Sequence, residues 1–302
     1  MAEPGMTVVV PTLNRGGFLH DCLADLVAQR HRPLEILVVD QSDAVGDDLA
    51  ELISRHRDVI AHHRVPFRSL PLARNYGWQH AKHEAILFVD DDIRCGPDLI
   101  SEHLRALQLP GVGLVGGGID TPAGPTDLAC RTGAYRRWTA TPLRGFAASG
   151  EGDTDHAPGG NFSAWRRALR AAGGVDEALG LGAALYEETD LCLRAGRAGY
   201  RVYFNGRARL IHLAAPGGGC RVDRVADYVH AMSHNRGIMI RRHGRWFHAP
   251  VALARLAALG LSYSRHYRVP GALPACIKGS FQGLRAGGRA PSCSIYAEGA
   301  PA

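Results

Sequence analysis

Ile86-Leu87-Phe88-Val89-Asp90-Asp91-Asp92 is the stretch that decides the fold. Four apolar residues in a row read as a strand buried on both faces of a parallel sheet. Three carboxylates stand where that strand ends. In an open α/β sheet, ligands bind in the crevice beyond the carboxyl ends of the strands. Three neighbouring carboxylates cannot all stay ionised cheaply unless a cation or hydrogen-bond donors compensate them. Oxygen ligands at this density suit Mg2+ or Mn2+, bound through one or two carboxylates together with the phosphates of a substrate. An acidic surface turn has the same composition, so the surrounding chain must decide.

Working outward, Thr7–Pro11 reads as a short buried strand. Phe18, Leu19, Cys22, Leu23, Leu26 and Val27 then trace the stripe of an amphipathic helix. Leu34–Val39 is a second buried strand closing on Asp40, followed by a short helix at Asp48–Arg55 and a weak strand near Ile60. A helix over Leu72–Ala81 leads into the strand Ala85–Asp90. Pro97 opens the next helix, and Val112–Gly116 is a further strand. This alternation predicts an α/β fold with a mainly parallel central sheet flanked by helices. Between Asp120 and Gly160 the composition shifts to Pro, Gly, Thr and Ala with little periodicity. Helices are expected at Ser163–Ala172 and Glu187–Ala198, and apolar alternation returns through Val202, Phe204 and Ile211. From Asp223 the chain looks helical and basic, and its last fifteen or so residues look disordered. The expected division is a catalytic domain over 1–220, with a donor-binding half 1–118 and an acceptor-side half 119–220. A C-terminal helical region with a flexible tail follows over 221–302.

Bulk composition narrows the class without naming a function. The 302 residues are 46% hydrophobic and 21% charged, an ordinary globular balance. The excess of 35 basic over 29 acidic residues is too small to select nucleic acid, an anionic membrane or a phosphorylated substrate. The seven cysteines (Cys22, Cys95, Cys130, Cys192, Cys220, Cys276 and Cys293) form no CxxC pair. That pattern predicts reduced thiols in a cytoplasmic protein rather than a disulfide framework or zinc site. No apolar run reaches transmembrane length, and the most apolar helical candidate, Val251–Leu261, is short and interrupted by Arg255. The N-terminus has no basic-then-apolar leader pattern.

Six separate patterns fall in order along the chain. They are Pro11-Thr12-Leu13-Asn14-Arg15 after the first strand, Asp40 ending the second, Leu72-Ala73-Arg74-Asn75, the three aspartates, Gly159-Gly160-Asn161, and Glu187-Glu188-Thr189-Asp190-Leu191 with Arg194 and a later His212. In this order and spacing they resemble the family 2 glycosyltransferases of the GT-A fold, over about residues 6–213.

The resemblance implies inverting transfer of a sugar from a nucleotide-diphosphate donor to an acceptor hydroxyl. It implies that Pro11, Thr12, Asn14, Arg15, Asp40, Arg74, Asp90, Asp91, Gly160 and Asn161 contact the donor. Within that set Asp40 takes the base, Asp90 the nucleoside and Arg74 supplies a cation. It assigns Asp92 and His212 to a Mn2+ or Mg2+ ion. A pyrimidine donor, UDP- or dTDP-linked, is expected ahead of a GDP-sugar. The acceptor is a glycan, a lipid-linked sugar or a small molecule; no nucleic acid partner is implied. The second carboxylate of the acidic pair, Glu188, aligns with the family's base, one methylene longer than the usual aspartate, and Glu187 is the alternative base. On a helix Glu187, Asp190 and Arg194 share one face, and Glu188 points about 100° away.

Each assignment has a plainer counterpart. Two carboxylates at a helix start suit the helix dipole, Asp40 can form a turn, and His212 can be structural. Gly159-Gly160 can be a tight turn, and His62-His63 read as a solvated strand edge. The basic cluster His234-Asn235-Arg236 with Arg241-Arg242-His243 reads as an exposed helix face, as a diphosphate holder, or as a peripheral contact with the inner face of a membrane. Two other functions compete. One is a sugar-nucleotide or glycan-binding module without turnover; the other is a phosphatase of the haloacid dehalogenase type. The phosphatase wants its DxD on the first strand, followed by a hydroxyl residue where this chain has Arg94. A dinucleotide oxidoreductase is excluded because no GxGxxG follows an early strand.

Overall fold

The structure, a computed structural model, describes residues 3–124 and 131–296. Cys130 and residues 297–302 of the expected tail lie outside them. The chain begins with β1 (Met6–Thr12), α1 (Gly16–Val27), β2 (Leu34–Asp40), α2 (Asp47–Arg55), β3 (Ile60–Arg64), α3 (Leu70–His80) and β4 (Ala85–Val89). A short strand β5 (Ile93–Cys95) follows the aspartates, then α4 (Leu99–Leu107) and β6 (Val112–Asp120). Pro97 stands before α4 rather than in its first turn, and Asp98 occupies the N-cap position. The stretch expected to be irregular carries β7 (Tyr135–Arg136), β8 (Thr141–Pro142) and β9 (Glu151–Thr154). Next come β10 (Asn161–Trp165), α5 (Arg166–Ala172), α6 (Glu187–Arg197) and β11 (Arg201–His212). Three helices close the chain: α7 (Val225–His243), α8 (Ala249–His266) and α9 (Ala272–Ala286).

The main sheet has nine strands in the order β3-β2-β1-β4-β10-β6-β11-β5, with β9 also paired to β11. β1 is parallel to β2 and β4, β2 to β3, and β6 to β11; β10, β5 and β9 run against their neighbours. The mainly parallel sheet expected from the apolar runs is therefore present. Alternation within each strand sorts the core into two layers. Val8, Val10, Ile36 and Val38 pack with Leu19, Leu23 and Leu26 of α1. Val9, Leu37, Val39 and Phe88 pack on the other face with Ala73, Tyr76 and Trp78 of α3. A third apolar cluster joins Val229, Met239, Leu256 and Cys276 of the C-terminal helices.

One element differs from the pattern in the sequence. Ser163–Trp165 belongs to antiparallel β10, not to a helix, and the helix begins at Arg166. The polar pair Asn161 and Ser163 tolerates a buried strand because His103 of α4 bonds both, from Nε2 to Asn161 Oδ1 at 2.8 Å and from Nδ1 to Ser163 Oγ at 2.9 Å. Burial holds the His103 ring down to a pKa of about 4, against the raising effect of the Asn161 bond. The tail also departs from expectation. Ser292 and Tyr296 donate backbone N–H groups to Asp176 Oδ1 at 3.0 Å and Gln79 Oε1 at 2.9 Å. The Tyr296 ring packs edge-on against Tyr76 at 5.2 Å.

Asn161 Nδ2 also donates to the carbonyl oxygens of Gly118 and Ala208, at 2.9 and 2.8 Å, stitching β10 to β6 and β11. Asn161→Ala should therefore destabilise the fold by about 2–3 kcal/mol, since buried groups left unpaired cost about 1–3 kcal/mol each. Urea unfolding checks this, and a loss under about 0.5 kcal/mol would show that the network is not a structural tie.

Candidate active site

The sheet topology explains why the motif residues meet. The register of β1 and β2 sets Thr12 opposite Asp40, and the aspartates follow β4 on the same rim. β5 then pairs antiparallel with β11, placing His212 opposite Ile93, one residue past Asp92. A cleft of about 400 Å3 opens on this rim. Its lining includes Pro11, Thr12, Arg15, Gln41, Arg68, all three aspartates, His212 and the loop Gly219–Val222.

The three carboxylates occupy three different environments. Asp91 is buried and accepts Thr12 Oγ1–H at 2.7 Å and Arg15 Nη1–H at 3.0 Å. Burial outweighs these bonds and lifts its pKa to about 6. Asp92 is also buried, and Oδ2 accepts the Ala215 N–H at 2.8 Å. Burial alone would raise its pKa, but His212, Ala215 and Arg15 outweigh it and hold the group at about 2. Asp90 is the half-exposed member, with Oδ1 3.6 Å from Arg74 Nη2 and Oδ2 3.5 Å from His212 Nε2. Arg15 also lies 3.4 Å from Asp92 and donates to the carbonyls of Gly217 and Gly218 at 2.8 and 3.2 Å. One guanidinium thus ties the acidic rim to the loop after β11.

Asp90, Asp92 and His212 bring ligand atoms within 4.8 Å of one another. Asp92 Oδ1 is buried and meets only the His212 ring, at 3.2 Å, and two carboxylates with an imidazole form a donor set suited to Mn2+. The residues therefore fit a divalent ion. The geometry draws Asp90 into this group, where the resemblance had put it on the nucleoside.

α6 presents the acidic pair in two directions. Tyr186, just before it, is left-handed with φ 75°, a strained conformation for a bulky residue that costs about 1–3 kcal/mol. Glu187 is 1% exposed and forms an ion pair with Arg74 Nη1. Glu188 is half-buried, accepts Thr189 Oγ1–H at 3.1 Å, and faces the Gly159–Gly160 turn. A Cβ on Gly159 would sit 3.5 Å from Glu188 Oε2, and one on Gly160 would press to 2.6 Å from Asp90 Oδ2. Glu188 and the Asp90 group thus flank one glycine turn.

Several sequence assignments need correction. Arg74 is 1% exposed and does not line the cleft; besides Glu187 it donates to the Gly159 carbonyl at 2.7 Å and lies 5.3 Å from the Phe162 ring. It braces the turn from below. Asn161 is fully buried in the sheet network already described. Asn14 is left-handed and reaches Ser42 and Asp43 instead of the cleft. Asp40 is 2% exposed, with Oδ1 bonded to the Ser42 N–H at 2.8 Å and Oδ2 to His62 Nε2 at 2.9 Å. His62 is therefore a partner of Asp40, not a solvated edge residue; its place on β3 beside the end of β2 could have revealed it. Gln41, Arg68 and the Gly219–Val222 loop carried no local signal.

The basic cluster on α7 is largely buried. Arg242 and His243 reach Asp190 Oδ1 at 2.9 and 2.7 Å, and Arg194 reaches its Oδ2 at 2.7 Å. Burial would raise the Asp190 pKa, but His243 and the two arginines hold it well below the carboxylate range. Asn235 donates to the carbonyls of Leu179 and Leu185, and Arg236 to that of Thr139. Arg242 also pairs with Asp176 at 2.8 Å. Arg242 and His243 thus dock α7 on α6, Asn235 and Arg236 tie it to the segments around Leu179, Leu185 and Thr139, and Arg241 is exposed. No helix among the described residues is long and apolar enough to cross a membrane.

Hydrogen bonds to Asp90 and Asp92 raise His212 to a pKa of about 10. A folded pKa raised above the ordinary 6.5 contributes stability fully below that value, and the contribution disappears as pH rises through about 10. Urea unfolding of metal-free protein between about pH 6 and 10 should show that loss, and His212→Ala should flatten it. An unchanged slope in the variant would place its origin elsewhere.

Comparison with known proteins identifies the family and the fold. The model of glycosyl transferase family 2 matches residues 7–172, more than half of the chain. A pre-mycofactocin glycosyltransferase, found in two strains of Mycobacterium tuberculosis, is 24% identical over 207 residues, 68% of this chain and 42% of that protein. The chain thus spans less than half the length of these relatives. Among solved structures, the mannosyltransferase PcManGT from Pyrobaculum calidifontis, in complex with GDP-Man and Mn2+, superposes with a TM-score of 0.58 at 17% identity, covering 94% of this chain and 88% of its own. GalNAc-T7 with UDP, GalNAc and Mn2+ gives 0.59 at 17% identity, covering 76% of this chain and 47% of that one. Both likenesses concern the fold, which is that of GT-A glycosyltransferases, and the phosphatase alternative falls away. The chain belongs to glycosyl transferase family 2.

Proposed function

We propose that the protein is a metal-dependent, inverting glycosyltransferase that moves a sugar from a UDP- or dTDP-linked donor to an acceptor hydroxyl. The observation that carries this reading is the pairing across Gly159–Gly160 of one half-buried carboxylate, Glu188, with the Asp90–Asp92–His212 group. A divalent ion bound to that group would neutralise charge on the departing diphosphate. Arg15 and Thr12 hold Asp91 and fix the acidic rim. Glu188 takes the proton of the acceptor hydroxyl as its oxygen attacks the anomeric carbon. The bond from sugar to diphosphate breaks with its electron pair on the diphosphate, and the anomeric configuration inverts. Glu187 is committed to Arg74, which leaves Glu188 as the carboxylate free to act as base. Product NMR tests the direct displacement, and retained configuration would refute it.

The donor is assigned to the cleft between β1, β2 and the aspartates. The pyrimidine preference rests on the family resemblance; Asp40 is buried at the end of β2 beside the cleft-lining Gln41, and its part in it would be to hold the strand end that receives the base. Calorimetric titration with UDP, dTDP and GDP in Mn2+ should rank the pyrimidine nucleotides first. Tighter GDP binding would overturn that assignment.

Chelator should abolish transfer, and Mn2+ or Mg2+ should restore it. Asp92→Asn should also abolish it while keeping the fold. Asp92→Ala would instead leave the buried Ala215 N–H unpaired, at about 1–3 kcal/mol. Full turnover in excess chelator would exclude the metal.

General-base assistance is worth about 10²–10⁴ in rate, so Glu188→Gln should lower turnover by that factor and leave UDP affinity unchanged. Glu187→Gln should lower stability more than turnover, because it weakens a buried ion pair. The reverse ranking would move the base to Glu187.

A further inference from the structure

A second cavity, about 360 Å3, opens between α6, β9 and the segment around β7, and it shares no lining residue with the donor cleft. Two buried polar atoms in its wall lack partners among the described residues: the Tyr135 hydroxyl and His243 Nδ1. Tyr135 is 8% exposed and His243 6%. His243 Nε2 is committed to Asp190 Oδ1 at 2.7 Å. Burial lowers the His243 pKa despite the pull of Asp190, so the neutral ring donates from Nε2 and leaves Nδ1 as an acceptor in the cavity wall. A buried polar group without a partner is destabilising, and here two stand in one wall.

The charges around the cavity are unbalanced in the same place. Arg137 and Arg197 both line it, and neither forms an ion pair among the described residues; Arg197 donates only to the Arg242 carbonyl, at 2.8 Å. Burial lowers the Arg197 pKa, and Arg137 and Arg242 push the same way against the pull of Asp190. Two carboxylates share the wall, but both are engaged. Asp153 Oδ1 takes Arg201 Nη2 at 2.7 Å, and Asp155 Oδ2 accepts the Tyr135 N–H at 2.8 Å.

We propose that this cavity is a second ligand site, for the phosphate monoester of a polyol such as a phosphorylated sugar. The unpaired guanidiniums of Arg137 and Arg197 take the oxyanion, which also accepts the Tyr135 hydroxyl proton. A hydroxyl on the adjacent carbon skeleton donates to His243 Nδ1, a lone pair that a bare anion could not satisfy. The hydroxyl requirement comes from that tautomer, and the anion requirement from the arginines. Through His243 and Asp190 the site connects to the helix that carries Glu188.

Calorimetry with glucose 6-phosphate and with inorganic phosphate tests the site on the full chain. Glucose 6-phosphate should bind saturably and more tightly than phosphate. Arg137→Ala and Arg197→Ala should each weaken it about 10- to 100-fold, the range of a charged hydrogen bond. Tyr135→Phe, which keeps the packing, should weaken it severalfold, and Arg15→Ala in the donor cleft should leave it unchanged. Binding lost in Arg15→Ala but kept in Arg137→Ala would overturn the proposal by assigning the anion to the donor cleft. Equal affinity for phosphate and glucose 6-phosphate would refute the polyol. Absence of saturable binding of both probes up to about 10 mM would leave the cavity to ordered water only.

Discussion

Three carboxylates at the end of one strand repel one another, and the way that repulsion is relieved organises the chemistry-bearing half of the molecule. The nearest cation in the chain, Arg94, is committed to Asp25. Arg15 comes from the loop after β1, Arg74 from α3 and His212 from the end of β11. Each reaches a different aspartate or pair, so the acids differ in character: Asp91 is pushed up toward neutrality and Asp92 is pinned as an anion. A single acidic patch becomes a graded site because its neighbours arrive from separate elements. Coulomb attraction at these distances is strong once water is excluded, and it links strand ends that backbone pairing alone would leave independent.

The same logic divides α6. Successive residues of a helix point about 100° apart, and the acidic segment uses each direction for a different task. Glu187 turns inward to Arg74, Glu188 toward the glycine turn, and Asp190 to α7. The helical wheel foresaw that Glu187 and Glu188 diverge, but it grouped Glu187 with Asp190 and Arg194, whereas the structure gives Glu187 a partner of its own on α3. Left-handed Tyr186 sets the phase of the helix; a one-residue change in that phase would exchange the inward and cleft-facing acids.

Much of the fold could be read because burial writes itself into local pattern. The runs Val8–Val10, Ile36–Val39 and Ile86–Val89 announce strands covered on both faces, and strand ends announce where polar residues become chemical. What could not be read are interactions between residues far apart in sequence. Arg74 reads as a donor-binding cation and Glu187 as an alternative base until α3 and α6 are brought together. Arg242 and His243 look solvated because their partner Asp190 precedes them by more than fifty residues. β10 resembles a helix start in sequence because its polar residues, Asn161 and Ser163, find their partner in His103 on another element. Sequence pattern records which side chains leave water, and polar side chains that leave water in pairs break the pattern.

The docking of α7 on Asp190 also has a consequence for biosynthesis. A ribosome delivers α6 well before the segment carrying Arg242 and His243, and later still the chain around Ser292 that caps Asp176. Until those residues emerge, Asp190 has only Arg194 to offset its burial, and a carboxylate so placed resists leaving water. The acidic helix therefore stays loosely held on the nascent chain while β1 to β4, whose mutual pairing is complete once Val89 has emerged, consolidate. The carboxylate proposed as the base is the last part of the site to settle into place, and a chain cut short within α7 would keep its aspartate rim but lose the helix that faces it.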